Sequence, residues 1–192
     1  MAFDAKLGTQ SVIDKQIING THPAIVLPLD MKADNGSINV GQMVAKDSNG
    51  DIVAYDNDIE EDLGDGDAAV ERFTGILASY PVAPGSVSVS DGTQELVDDG
   101  EGNLVGDGDG YVNYKTGAIS VKFAAPPASL AEVVATYANK PEGVLVQTVD
   151  TTKETVGRVI VHGTVVAANI LVAAVAAAAA DFARMEPQVY AI

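Results

Sequence analysis

The sequence predicts a mainly β fold: a β-rich α+β host domain with one alanine-rich helix, carrying an inserted small antiparallel β-sandwich. Three observations lead there. Short apolar segments alternate with polar residues and are separated by Gly, Asn and Asp turns, the period-2 signature of strands. Val, Ala, Gly and Thr dominate a chain of 192 residues with 47% hydrophobic and only 5% aromatic side chains. The texture then changes between Tyr80 and Gly143, with Pro81 and Pro84 at one end of the changed block and Pro141 at the other.

Taken in order, residues 1–20 are weakly patterned and read as an arm ending at the turn signal Asn19-Gly20. Ala24–Leu29 is an apolar strand. Val40–Val44 and Ile52–Tyr55 flank Ser48-Asn49-Gly50-Asp51, and Asn-Gly between apolar strands is a strong hairpin signal. The acidic stretch after Asn57 reads as a loop leading into a strand at Phe73–Ser79. From Pro84 to Lys140, five or six short strands at roughly ten-residue spacing predict the small sandwich. Host strands resume at Val144–Val149 and Arg158–Thr164. Alanine is the best helix former, so Ala167–Met185 is expected to be a helix stopped by Pro187. Gln188–Ile192 is placed to add a closing strand. The division is therefore an arm (1–20), a discontinuous host domain (21–80 and 141–192) and an inserted domain (81–140).

Composition excludes several functions. With no cysteine there is neither a disulfide framework nor a thiolate metal site. Net charge is −16, and Asp47–Glu71 carries ten acidic residues and no basic one, a surface that repels phosphate backbones. No nucleic-acid partner is expected. The start MAFDAKLGTQ lacks the basic and apolar regions of a secretory signal. Val165–Ala180 is slightly short for a membrane span of about 20 residues and reads as a buried helix, so no membrane partner is expected either.

No catalytic constellation emerges, and the chain reads as a non-enzyme without cofactors. The two histidines, His22 and His162, lack the spacing of a zinc site. Gly100-x-Gly102-x-x-x-Gly106 departs from the dinucleotide fingerprint by one residue and no helix follows it. Asp98, Asp99, Glu101, Asn103, Asp107 and Asp109 are the weak candidates for hard-cation ligands. Asp99-x-Glu101-x-Asn103 begins like an EF-hand loop but has Leu104 at the sixth position and Gly110 at the twelfth. Asp47-x-Asn49-x-Asp51 fails likewise at Ile52. Asp-Gly pairs are also ordinary hairpin chemistry.

Four segments resemble the lambda-type head decoration proteins of tailed bacteriophages. They are the hairpin VGQMVAKDSNGDIVAYDND, the strand FTGILASY with its counterpart GVLVQTVD, the strand VGRVIVHGTVVAANI, and the short apolar C-terminus. Together they cover about 110 residues outside the insert. The insert, above all NYKTGAISVKF (Asn113–Phe123), is similar to Ig-like β modules of phage virion proteins. The resemblance implies a capsid cement protein, made in the bacterial cytoplasm and placed on the outer capsid surface. It implies a homotrimer that clamps neighbouring major capsid subunits while the insert projects outward. It also implies a shell-facing N-terminal segment (1–30), with Phe3, Leu7, Val12, Ile13, Ile17, Ile18, His22 and Pro23 as contacts. The alternatives are a tail or fibre-attachment module, or an adhesion module whose insert binds carbohydrate or cell-surface glycan; weak glycan binding by the insert is compatible with the capsid role.

Overall fold

The computed structural model describes residues 16–192. The chain opens with β1 (Ile25–Asp30), β2 (Ser37–Ile38), β3 (Met43–Lys46) and β4 (Ile52–Ala54). It continues through β5 (Ile59–Asp65), β6 (Arg72–Ile76), β7 (Ser88–Ser90), β8 (Glu95–Asp98) and β9 (Asn103–Gly106). Next come β10 (Gly108–Val112), β11 (Ala118–Phe123), β12 (Glu132–Tyr137), β13 (Pro141–Leu145), β14 (Val149–Asp150) and β15 (Val156–Val165). A 3-10 turn (Ala167–Asn169), β16 (Leu171–Val172), β17 (Val175–Ala176), helix α1 (Ala179–Met185) and β18 (Val189–Ala191) complete it. The mainly β class expected from the sequence is the class observed.

The host sheet runs β1-β15-β13-β3-β4, and β18 pairs in parallel with the end of β15. Its centre is apolar on both faces. Met43, Ala45, Val144 and Ile160 enter one buried cluster, whereas their neighbours Val44, Leu145 and Val159 enter another. Ile170, Met185 and Val189 close the first face, and Met31, Ile38 and Val149 close the second. A strand covered on both sides needs an unbroken apolar run, which is why Val159-Ile160 and Val144-Leu145 lack polar alternation. Each fully buried side chain of this size contributes about 1.5–3 kcal/mol.

The second body is one antiparallel sheet of eight strands, β5-β12-β7-β8-β9-β10-β11-β6. It is a single continuous sheet rather than two face-packed ones. It curls so that its two edges face each other: a Cβ placed on Gly75 of β6 would lie 3.4 Å from the Leu63 side chain of β5. Phe73, Leu96, Val121, Phe123, Val133 and Tyr137 fill the interior, with the Phe73 and Phe123 rings edge to face at 6.0 Å.

This topology corrects the expected boundary. β5 and β6 were assigned by sequence to the host or to a loop, yet they pair with β12 and β11. The second body therefore begins at Ile59, not at residue 81. The acidic run concealed a strand because Glu60 and Asp62 face solvent while Ile59 and Leu63 pack inward. Glu61 is accommodated by accepting hydrogen bonds from the Tyr137 hydroxyl (2.9 Å) and the Ala78 amide (2.8 Å).

The chain leaves the host at 55–58 and returns at 138–141, and the two crossings lie side by side. Asn139, 5% exposed, accepts from the Asp56 amide through Oδ1 (3.0 Å), and its own amide donates to the Asp56 carbonyl (3.2 Å). A third segment folds back onto them. The Ala83 amide donates to Ala138 (2.9 Å), the Lys140 amide donates to Pro81 (2.7 Å), and the Ala83 side chain enters the host core. The three prolines thus mark the junction, although the crossing itself lies upstream.

The expected helix over Ala167–Met185 is also corrected. Only Ala179–Met185 is α-helical, Ala167–Asn169 is a single 3-10 turn, and Leu171–Val172 and Val175–Ala176 form a small hairpin. The Leu171 amide donates to Gly41 at 2.9 Å, so bonding to the host sheet displaces the local helical ladder. Isolated helices depend on such tertiary context whatever their propensity. Two buried apolar residues close together, Ile170 and Val172, anchor the hairpin.

One turn gives a pH test. Burial alone would push the Asp91 carboxyl up, but the Gln94 and Thr93 amides and side chains outweigh it and hold it at about 2, against an ordinary value of 3.8. A depressed carboxyl contributes stability that is present above the ordinary value and is lost as pH falls through the native one. The stability gap between the wild type and Asp91→Asn should therefore be full above about pH 4 and should close between about pH 4 and 2. Urea unfolding across that range measures it; a gap independent of pH would contradict the assignment.

Candidate functional site

The C-terminal end of β15 gathers the described end of the N-terminal segment and the C-terminus. Ile18 bridges Val165, the Val166 amide donates to Ile17 (2.9 Å) and the Asn19 amide donates to Thr164 (2.9 Å). On the other flank Val165 pairs with Ala191. The Thr164 hydroxyl donates to the Asn19 carbonyl (2.7 Å) and accepts from the His22 amide (3.3 Å). His22 and His162 meet edge to face with centroids 5.0 Å apart. In the tautomer protonated at Nδ1, His22 donates to the Pro23 carbonyl (3.2 Å).

Of the residues expected to contact a shell, Phe3, Leu7, Val12 and Ile13 lie outside the described residues. Ile17 is buried in the host core at 4% exposure, so its side chain serves the fold of its own chain. Ile18, His22 and Pro23 are exposed.

Periodicity left unmarked the apolar surface around them. Among the described residues, seven large apolar side chains outside the second body are exposed: Ile18, Ile25, Leu27, Val156, Val175, Tyr190 and Ile192. All but Val175 belong to β15 or to segments bonded to it. β1 is a sheet edge whose far side pairs with no strand among the described residues. The second body also exposes six, but they are spread over four strands and two loops, with Val97 and Val105 the one pair in cross-strand register. Charge divides the other way. Residues 59–137 carry fourteen acidic and three basic side chains, a net −11, against thirteen and eight, a net −5, in the rest. The host thus presents a strip of exposed apolar side chains along β15 that is spread over both faces of the sheet and shared with the exposed Arg158, and the second body a mostly acidic, solvated surface.

Three of the six candidate cation ligands, Asp98, Asp99 and Asp107, are engaged by protein donors. Asp98 is 7% exposed and accepts from the Gly85 amide (2.6 Å), the Gly100 amide (3.0 Å) and the Tyr114 hydroxyl (2.6 Å). Burial and the Asp98 carboxylate push the Tyr114 phenol up. Asp99 accepts from the Glu101 and Asn103 amides and from the Asn103 side chain, at 2.7–3.1 Å. Asp107 accepts from the Glu95 amide (3.1 Å). Asp109 sits on β10 opposite Val105 and Lys122. Among the described residues, no group of three or more His, Asp or Glu side chains is arranged to hold a metal. The acid–glycine run is the β8–β9 turn, strand β9 and the β9–β10 hairpin tip.

A polar hub buried under α1 escaped sequence reasoning altogether. Asp181, 1% exposed, accepts from the Tyr55 hydroxyl (3.1 Å), the Asn57 side-chain amide (2.8 Å) and the Ala178 amide (2.8 Å). Arg184 lies 3.6 Å from Asp181 and donates to the Tyr55 hydroxyl (3.2 Å). Burial drives the Tyr55 phenol up to about 12, against a downward pull from Arg184. The nearest sequence signal was Asp181 and Arg184 at helical spacing; their partners lie more than 120 residues away.

Among the described residues no helix is long and apolar enough to cross a membrane. Comparison with known protein families, curated proteins and solved structures found no match to this chain.

Proposed function

We propose that this chain is a structural virion protein of a tailed bacteriophage. In this reading it binds the outer surface of the assembled capsid, clamps neighbouring major capsid subunits as a homotrimer, and holds its second body outward. The observation that carries the reading is the apolar strip along β15 on the host, set against a net −11 on the second body. A contact of about 800 Å² per partner suffices for specific binding, and repetition around a trimer multiplies weak contacts into avidity. The described N-terminal residues Ile17–Asn19 bond to the C-terminal end of β15, next to the exposed Ile18, Tyr190 and Ile192.

Sedimentation of purified protein with expanded, undecorated phage shells tests the reading. Saturable, stoichiometric co-sedimentation is expected, together with a loss of about tenfold or more for Leu27→Asp combined with Ile18→Asp, which place two charges in the strip. Absence of saturable binding to any such shell rejects the capsid reading.

A further inference from the structure

Where the second body meets the host there is a cleft of about 390 Å³, lined by Pro81, Pro84 and Tyr114 over the fully buried Val82. Lys46, Lys115 and Lys140 also line it. Residues 16–192 contain 25 acidic and nine basic side chains, so a base has almost three acids available to it. Five bases take one: Lys32, Lys46, Lys122, Lys153 and Arg184. Arg72 donates to the Ser120 hydroxyl. Lys115, Lys140 and Arg158 have no acidic partner among the described residues, and two of those three share this cleft. With Lys46 and its partner Glu142, the cleft carries a formal +2 on a chain of −16.

We infer that this cleft is a docking site for an acidic peptide segment of a partner protein, one that presents a carboxylate beside an apolar side chain. Two unpaired ammonium groups against apolar walls repel each other, and a carboxylate relieves that repulsion while making charge-assisted hydrogen bonds. The proline and tyrosine residues cover the apolar neighbour. A polyanion such as nucleic acid does not fit, because the acidic surface repels it beyond the Debye length of about 8 Å, while the attraction is confined to one slot. Lys46 and Lys140 come from the host side of the junction, whereas Tyr114 and Lys115 come from the β10–β11 turn. An occupant therefore touches both bodies and restrains one against the other. This inference stands whether or not the partner is a capsid.

The test is amide chemical-shift titration of the full chain with acetyl-Leu-Glu-Leu-amide and its neutral counterpart acetyl-Leu-Gln-Leu-amide. The glutamate peptide should produce saturating shifts at Val82, Tyr114, Lys115 and Lys140 at roughly millimolar concentration. The glutamine peptide should require about tenfold more or fail to saturate. Lys115→Glu with Lys140→Glu should abolish the shifts, whereas Lys153→Glu, in an exposed turn elsewhere, should leave them intact. Equal response to both peptides, shifts scattered away from the cleft, persistence in the double variant or loss in the Lys153 control each overturns the assignment, as does silence at ten times the expected concentration.

Discussion

Asp181→Ala is expected to lower the unfolding free energy by about 3–5 kcal/mol, one of the two largest effects anticipated for a single substitution in this chain. The carboxylate is buried and accepts three hydrogen bonds, from β4's neighbour Tyr55, from Asn57 on the outbound crossing, and from the amide of Ala178, which caps α1. Alanine strands the partly buried Arg184 charge and leaves the Asn57 amide without its acceptor; an unmet buried polar group costs about 1–3 kcal/mol. Asp181→Asn retains one acceptor oxygen and should cost roughly half as much. Tyr55→Phe deletes one spoke and should cost about 1 kcal/mol. Urea midpoints for the three variants should follow that order. A midpoint for Asp181→Ala within experimental error of the wild type would mean that the hub does not hold α1 to the host. The hub also sets an alkaline limit. A phenol raised in the native state contributes stability below its ordinary value near 10, which is lost as pH rises towards about 12.

Gly108→Ala is the second. Gly108 has φ +149°, a region closed to ordinary side chains, and a Cβ there would overlap the Lys122 carbonyl oxygen across the β10–β11 ladder. Relief requires parting two strands of the curled sheet, for a loss of about 2–4 kcal/mol. Asp109→Ala, one residue on at an exposed position, should stay within about 0.5 kcal/mol. The pair separates two meanings of the run GDGDG. If the acids held a ligand, Asp109→Ala would be the damaging change in the presence of that ligand; if the glycines permit strand contact, Gly108→Ala is. A larger loss for Asp109→Ala in calcium-containing buffer would contradict the structural meaning.

The hairpin around Asn49-Gly50, the strands β7, β8, β10, β11 and β12 and the closing strand β18 were legible because each is a local pattern of alternation bounded by turn residues, whereas β9 lay hidden in the acid–glycine run. β12 falls at Glu132–Tyr137, where alternation placed it. β5 was not legible. Its charged outer face masked an inward pair, Ile59 and Leu63, whose burial depends on β12, some 70 residues away. The hairpin at Leu171–Ala176 was lost for the opposite reason: alanine propensity is local, and the Gly41 carbonyl that captures Leu171 is not. Of the surface features, the acid-rich turns were visible as residues but not as saturated ones. The apolar strip and the lysine cleft join residues from both ends of the chain and from both bodies, and no window of sequence contains either.

The paired crossings at 55–58 and 138–141 have a consequence for the order of folding. The second body is contiguous in sequence, so its contacts form without waiting for the residues after Tyr137. Its completion brings residues 58 and 138 together. The host sheet, whose β3 and β13 flank those positions, then no longer bears the entropy of closing a loop of about 80 residues, which is roughly 4 kcal/mol by the logarithmic law. In that order the second body acts as an internal splint: once folded, it turns a pairing between distant strands into one between near neighbours.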